Sequence, residues 1–297
     1  MSNMTIFEGS GVAIITPFNL DGSVNYGKLE ELIDFQIENG TDAIVICGTT
    51  GESPTLTNDE HLACIETAVK ATHKRVPVIA GTGSNDTAYG VRLTKKAKEL
   101  GADATLQITP YYNKCTQKGL VAHFSEIAKA ADLPMIVYSV ASRTGVNILP
   151  STMEELAKID NIVAIKEASG NISQVADISA RCGNSIDIYS GNDDQIVPLL
   201  SLGGKGVISV VANIAPQMTH DIVRLFLDGH VEESKNLQLK YLKMINLLFC
   251  EVNPIPVKAA LNMMGWNVGP CRLPLTPMED ANAALLKAEL ERLKLIP

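Results

Sequence analysis

The sequence has no long apolar run and no excess of positive charge. Its apolar stretches, such as residues 76–80 and 207–212, are far shorter than the roughly 20 residues of a membrane-spanning helix. The 33 acidic residues outnumber the 25 basic ones, which gives a net charge of −8. A phosphate backbone repels such a chain, so a general nucleic-acid-binding function is excluded along with a membrane span.

Cysteine and histidine are also thinly spread. The 6 cysteines include no Cys-x-x-Cys pair, and the 5 histidines form no cluster at ligand spacing. This pattern is typical of reduced thiols and argues against a disulfide framework or a zinc site, so we expect no metal and no cofactor. The segment Met1–Gly9 lacks the basic start and apolar run of a signal peptide, and we therefore expect a cytoplasmic protein.

Eight short apolar runs recur along the chain, each followed by small or polar residues and then by an amphipathic stretch. Most are apolar on both alternating faces, which is typical of strands buried on both sides of a parallel sheet. The predicted strands are Gly11–Phe18, Ala43–Gly48, Val76–Gly83, Ala104–Pro110, Pro134–Val140, Ile162–Ser169, Ile186–Asn192 and Gly206–Asn213.

Helix signals lie between these strands. Thr57–Glu60 and Ser151–Glu154 have the spacing of capping boxes, which predicts two helix starts. Gly40 and Gly101 are each followed within three residues by a new strand, which predicts two helix ends. The repeated strand–helix unit predicts an α/β fold, namely a (β/α)8 TIM barrel. A doubly wound sheet is the alternative, but the Gly-x-Gly-x-x-Gly turn expected after its first strand is missing.

Beyond Gly229 only helical patterns remain, at Val231–Glu251, Pro254–Met264 and Met278–Leu295. We therefore predict two domains. Residues 1–229 form the catalytic barrel and residues 230–297 form a C-terminal helical appendage.

In such a barrel the active site lies at the carboxyl ends of the strands. Lys166 ends an apolar strand there, although lysine is rarely buried without a partner. A buried lysine loses its proton more readily and becomes a nucleophile toward carbonyl groups. The alternative is a solvated lysine paired with Glu167, but neighbours on a strand point to opposite faces. The strand alone leaves both interpretations open.

Other strand ends carry polar groups. The turn Gly48–Ser53 offers two hydroxyls and backbone amides for a carboxylate, although a helix cap would explain it equally. Tyr138 could transfer a proton and Arg143 could bind a carboxylate, whereas the simpler explanations are a packed tyrosine and a solvated arginine. Two further phenols, Tyr111 and Tyr112, follow the fourth strand.

Three motifs together resemble the dihydrodipicolinate synthases, a branch of the pyruvate-dependent class I aldolase family that includes N-acetylneuraminate lyase. They are Gly48-Thr49-Thr50-Gly51-Glu52-Ser53, the segment Tyr138–Gly145 with its Arg-Thr-Gly, and Ile165-Lys166-Glu167-Ala168-Ser169-Gly170. The likeness covers nearly the whole chain. It implies a condensation of pyruvate with L-aspartate 4-semialdehyde on the route to diaminopimelate and lysine, by way of a Schiff base on a lysine.

The resemblance also implies a role for single residues. It makes Lys166 the Schiff-base lysine and Tyr138, Thr49 and Tyr112 a proton relay, with Tyr112 reaching in from a partner subunit. It further implies that the family's usual homotetramer, a dimer of dimers, forms here. The implied substrate contacts are Thr50 to the pyruvate carboxylate, Arg143 to the semialdehyde carboxylate, and the backbone of Gly191 and Ile208 along the pyruvate pocket.

A lysine-feedback site of the family matches only in part. Ser53, His61, Asn85 and Tyr111 agree with inhibitable members, whereas Pro54, Asn58 and Tyr89 replace Ala, His and Glu. A phenol cannot supply the charge-assisted hydrogen bond of the missing Glu, so a vestigial site with weak or absent lysine inhibition is predicted.

The chain also departs from the family at Ser139 and Ala141, where Asn and Pro are usual. Without the proline, which fixes φ, the backbone conformation of the loop that carries Arg143 is predicted to be less restricted. Two other functions remain as alternatives. A sugar-acid aldolase of the same family would prefer neutral partners at Arg143, and a catalytically silent keto-acid sensor would not need Lys166.

Overall fold

Eight parallel strands close into a barrel in which each strand pairs with its neighbours in sequence and β8 pairs with β1. The computed structural model describes residues 4–297. The strands are β1 Gly9–Ala13, β2 Ala43–Ile46, β3 Val78–Gly81, β4 Ala104–Ile108, β5 Met135–Ser139, β6 Ile162–Glu167, β7 Asp187–Ser190 and β8 Gly206–Ser209. The predicted (β/α)8 barrel is confirmed, and the doubly wound sheet is wrong.

Helices surround the barrel and follow it at the carboxyl terminus. They are α1 Tyr26–Glu38, α2 Asn58–Thr72, α3 Thr87–Glu99, α4 Gln117–Ala130, α5 Ala141–Thr144, α6 Pro150–Leu156, α7 Ile172–Cys182, α8 Ile196–Leu200, α9 Pro216–Leu227, α10 Val231–Leu247, α11 Ile255–Met263 and α12 Asp280–Arg292. Helix α10 packs on α9, and α12 packs on both α10 and α11. The helical tail is therefore present, while the domain boundary after Gly229 stays a prediction.

The local start and stop signals are partly confirmed. The Thr57 hydroxyl accepts from the Glu60 amide and the Glu60 carboxylate accepts from the Thr57 amide, so the first capping box forms as predicted. Gly40 and Gly101 have φ values of +86° and +93°, the left-handed conformation that ends a helix.

Three local predictions are wrong: the second capping box, the end of the first strand, and the end of the eighth strand, which stops at Ser209 and not at Asn213. The second capping box does not form, because α6 already starts at Pro150, whose fixed φ suits the first helical position. The first strand spans Gly9–Ala13 and ends well before Phe18. Beyond Ile14 the backbone leaves the sheet: the Ile15 amide donates to the Asn213 side chain and the Phe18 amide donates to the Val268 carbonyl.

The alternation of side chains on β6 decides which residues face the barrel interior. Ala164 and Ala168 belong to the interior cluster, whereas Ile165 belongs to the outer cluster beneath the helices. Lys166 has the same parity as the two alanines, so it faces the interior. Among the described residues no helix is long and apolar enough to cross a membrane, and none of their His, Cys, Asp and Glu side chains form a group of three suited to a metal.

Candidate active site

Lys166 lies near the carboxyl end of β6, between Tyr138 of β5 and Tyr189 of β7. The lysine is only 5% exposed, and its Nζ lies 4.3 Å from the centroid of the Tyr138 ring. Burial lowers the pKa of Lys166 to about 8, with the Asp193 carboxylate opposing this shift and Arg143 adding to it. At pH 7 about a tenth of the amine is then neutral, compared with a negligible fraction for a solvated lysine. The structure thus places a buried amine with a lowered pKa inside the barrel.

Glu167 points away from Lys166. Its carboxylate accepts from the Ser169 amide at 3.0 Å and from the Gln174 side chain at 3.3 Å, on the outer side of the barrel. Burial raises the pKa of Glu167, and these hydrogen bonds act against that shift. No ion pair joins Lys166 and Glu167 within residues 4–297. The solvated, paired lysine is therefore the wrong interpretation.

Tyr138 lies beside the amine. The residue is buried, and burial raises the pKa of its phenol to about 12, with Arg143 opposing and Glu167 adding to the rise. The phenol therefore keeps its proton at neutral pH. A protonated phenol beside an amine can donate a proton to an oxygen that leaves or forms there.

The turn after β2 places Thr49 and Thr50 at the same rim. Thr50 is buried and its Oγ1 accepts from the Asn253 side chain at 3.0 Å. The turn is fixed on both sides, since the Thr16 hydroxyl donates to the Gly51 carbonyl at 2.7 Å and the Glu52 amide donates to the Thr49 carbonyl at 3.1 Å. The helix-cap alternative does not hold for Thr49 and Thr50, because α2 begins later and is capped by Thr57.

A buried ion pair anchors this turn to the C-terminal helices. Glu52 has a left-handed backbone with φ +54° and lies two residues after Thr50. Its carboxylate bonds Lys258 Nζ at 2.9 Å and the Arg272 amide at 2.9 Å. Lys258 Nζ also donates to the Thr16 and Pro270 carbonyls. The ammonium thus makes three hydrogen bonds and each carboxylate oxygen accepts one, and such additional hydrogen bonds are what allow a buried ion pair to be tolerated.

Arg143 lies on the short helix α5 at the mouth of the barrel and is exposed. Its Nη2 donates to the Asn253 carbonyl at 3.4 Å. The preceding Ser139 hydroxyl donates to Asn147 at 3.0 Å and accepts from the Ile148 amide at 3.1 Å. These bonds hold the segment at a position where the family usually relies on Asn and Pro.

A cavity of about 160 Å³ joins these groups at the carboxyl end of the barrel. Its lining includes Thr49, Thr50, Tyr138, Arg143, Lys166 and Gly191. Only glycine fits at position 191 without a steric clash, because a Cβ there would lie 2.6 Å from the Ala168 Cβ and 3.2 Å from the Lys166 Cε. These six predicted residues therefore meet in one pocket.

Ile208 and Tyr112, which the resemblance also implies, are not among the described residues that line this cavity. Ile208 is fully buried in the interior cluster that also holds Tyr138. Tyr112 is 95% exposed, with a left-handed φ of +69°, and its phenol does not reach the pocket of its own chain. A non-glycine residue in the left-handed region is uncommon, and such strained positions cluster at functional sites.

A second cavity of about 370 Å³ adjoins the first and shares Thr49, Tyr138 and Arg143 with it. The predicted lysine-site residues Ser53, His61, Tyr89 and Tyr111 line it, while Asn85 donates to the Tyr111 carbonyl at 3.1 Å. Two of the departures contact each other, since the Tyr89 hydroxyl donates to Asn58 Oδ1 at 2.6 Å. The phenol is thus already engaged where inhibitable members have a carboxylate.

The sequence did not predict that Asn253 lines the site or that the Asp193 side chain is buried beside it. Asn253 lies in the tail that the sequence predicts to be a helical appendage, and no local pattern marks it as part of the site. Asp193 follows the seventh strand, and no local pattern marks it as buried. It is almost fully buried, and its Oδ2 accepts from the Val210 and Val211 amides at 3.0 and 3.1 Å.

Comparison with known proteins agrees with this geometry. The sequence model of the Dihydrodipicolinate synthetase family matches residues 6–293. A 4-hydroxy-tetrahydrodipicolinate synthase of Lachnoclostridium phytofermentans is 62% identical over 294 residues, which cover 99% of this chain and 100% of that protein. A similar enzyme of Caldicellulosiruptor saccharolyticus is 62% identical over 97% of each chain.

Solved structures agree as well. The dihydrodipicolinate synthase of Cyanidioschyzon merolae with lysine bound superimposes with a TM-score of 0.96 at 43% identity, over 99% of this chain and 100% of that one. Sequence identity over nearly the full length and the shared barrel lead to one conclusion: the chain belongs to the dihydrodipicolinate synthetase family.

Proposed function

We propose that the site built around Lys166 condenses pyruvate with L-aspartate 4-semialdehyde through a lysine Schiff base. The activity of this chain is that of a 4-hydroxy-tetrahydrodipicolinate synthase, a lyase of diaminopimelate and lysine biosynthesis. The observation that carries the residue assignment is the buried Lys166 amine with its lowered pKa, facing a cavity that also holds Thr49, Thr50 and Tyr138. A keto-acid sensor would need no such amine.

The proposed reaction begins when the neutral Lys166 amine attacks the keto carbon of pyruvate and water leaves. The protonated imine withdraws electrons from the methyl carbon, which loses a proton and becomes an enamine. The enamine carbon attacks the aldehyde carbon of the second substrate. The substrate amine then attacks the imine carbon, the ring closes, and the Lys166 amine is released.

Proton transfers in this sequence are assigned to Tyr138, Thr49 and Tyr112. Tyr138 suits the role because its phenol stays protonated, with a pKa raised by burial to about 12, and its ring lies beside the Lys166 amine. Thr49 lies on the same rim and lines the same cavity. The hydroxyls of Tyr138 and Thr49 would transfer a proton between the reacting atoms and solvent.

Tyr112 completes the relay only if a second subunit supplies it. Its full exposure and left-handed backbone support an interface at this loop, which argues for at least a dimer. The dimer of dimers remains the arrangement that we propose, together with a cytoplasmic location. One solved structure in the family, 41% identical with a TM-score of 0.95, is described as the first monomeric dihydrodipicolinate synthase variant.

The two carboxylates are assigned to different contacts. Thr50 lies deep in the cavity near Lys166 and would bind the carboxylate of pyruvate. Gly191 and Ile208 would border the same pyruvate through their backbone. Arg143 lies at the mouth and would bind the carboxylate of the semialdehyde, which enters second.

Replacement of Arg143 by Ala should therefore chiefly raise the KM for the aldehyde, while turnover at saturation and the KM for pyruvate change much less. Loss of a charge-assisted contact should raise that KM about ten- to a hundredfold. A coupled assay with pyruvate and a panel of aldehydes measures this and tests the function. Preference of the unaltered protein for a polyol aldehyde over the semialdehyde would favour the sugar-acid aldolase instead.

L-Lysine should inhibit this enzyme weakly or not at all. Because the Tyr89 phenol replaces a carboxylate and is bonded to Asn58, a contact of about 1.5 to 3 kcal/mol with the lysine amino group is lost. Binding should weaken about ten- to a hundredfold. A titration of activity with L-lysine checks this, and Tyr89→Glu should strengthen inhibition. Strong inhibition of the unaltered enzyme well below about 1 mM would contradict the prediction.

A further inference from the structure

Asn253 reaches from the C-terminal part of the chain into the active-site cavity. It follows α10, is 5% exposed, and lines the same cavity as Lys166 and Thr50. Its side-chain Nδ2 donates to Thr50 Oγ1 at 3.0 Å. Its main-chain carbonyl accepts from Arg143 Nη2 at 3.4 Å. One residue therefore contacts both groups to which the substrate carboxylates are assigned.

The structure places the Asn253 amide nitrogen against Thr50 Oγ1. Because an N–H group only donates, the Thr50 oxygen accepts in this arrangement. The hydroxyl has one proton, and within residues 4–297 no protein group accepts it. With its oxygen engaged by Asn253, the Thr50 hydroxyl is left as a donor toward the cavity. A carboxylate is an acceptor and matches that donor.

The second contact works through the main chain. Because the Asn253 carbonyl accepts from one guanidinium nitrogen, Arg143 is drawn over the cavity while its other N–H groups stay available. A change of the Asn253 side chain leaves this carbonyl in place. The two contacts can therefore be separated by substitution.

We propose that Asn253 is a positioning residue that directs the Thr50 hydroxyl proton toward the carboxylate of pyruvate. This role rests on the proposed function, because it needs pyruvate bound at Thr50. It predicts a selective effect on pyruvate binding, whereas a merely structural role would affect both substrates and turnover together.

The test is a double-mutant cycle on the KM for pyruvate with Asn253→Leu and Thr50→Val. In the otherwise unaltered enzyme, Asn253→Leu should raise this KM about tenfold, the lower end for a hydrogen bond to a charged group. In the Thr50→Val background the same change should have less than about a twofold effect, because no hydroxyl remains to be directed. The KM for the semialdehyde should stay within about twofold in both backgrounds, since the carbonyl to Arg143 is kept.

The exposed Asn246 on α10 offers a matched control. Asn246→Leu should leave the KM for pyruvate, the KM for the semialdehyde and kcat unchanged. If Asn253→Leu does not fold, Asn253→Ser, whose side chain is too short to reach Thr50, replaces it in the cycle. An equal rise in the pyruvate KM with and without the Thr50 hydroxyl overturns the positioning role. If pyruvate and borohydride label Lys166 while the cycle is additive, only this inference fails; if no label forms, the proposed function fails with it.

Discussion

Tyr138→Phe should lower turnover by a factor of about 10² to 10⁴, the usual contribution of a positioned acid–base group. The substitution removes one oxygen from a buried ring that lies 4.3 Å from the Lys166 amine and leaves the packing of the ring in place. Because the loss concerns proton transfer, kcat should fall more than the binding of either substrate. Steady-state kinetics with both substrates measures it.

Tyr241 provides the control for this change. It lies on α10, packs against the outer core and is remote from the cavity lining. Tyr241→Phe should leave turnover within about twofold, as is usual for changes away from special features. Near-normal turnover of a folded Tyr138→Phe enzyme would show that the phenol is not part of the relay.

Lys166→Met should abolish measurable turnover, with a loss of about 10⁴-fold or more, as expected when a catalytic nucleophile is removed. Methionine has similar length and suits the apolar strand, so the barrel should fold. Burial of a lysine opposes folding, and the variant should unfold at an equal or higher temperature than the parent enzyme. Activity and thermal unfolding measured together separate lost chemistry from lost structure. Retained activity would exclude Lys166 as nucleophile.

The exposed Lys158 serves as the matched lysine. It lies just after α6 and forms a surface ion pair with Glu155. Lys158→Met should leave turnover unchanged, because a surface ion pair contributes about 1 kcal/mol or less and no catalytic group is lost.

The barrel and the position of Lys166 were predictable because they depend on patterns with a fixed period. Apolar runs at regular spacing mark the strands, and parity along β6 alone puts Lys166 on the face of Ala164 and opposite to Glu167. The roles of Thr50 and Arg143 came from the family resemblance, since a threonine turn and a loop arginine have simpler explanations on their own. Local capping was less certain, and at Ser151 the competing preference of Pro150 decided the helix start.

Asn253 and the Lys258–Glu52 pair were beyond prediction from the sequence. Asn253 contacts Thr50 across 203 positions of the chain, and Lys258 contacts Glu52 across 206. Neither residue stands in a periodic or motif context that distinguishes it from a solvated polar side chain. Only the packing of the C-terminal helices on the barrel brings them to the turn that carries Thr49 and Thr50.

Reductive trapping with pyruvate and borohydride tests the central assignment most directly. An imine at Lys166 would be reduced to a stable secondary amine, so one lysine per chain should gain the mass of pyruvate less one oxygen atom. Peptide mapping by mass spectrometry should place this gain on Lys166, and Lys166→Met should remove it. Label on another lysine, or pyruvate-dependent inactivation without any label, would contradict the Schiff-base mechanism proposed for this site.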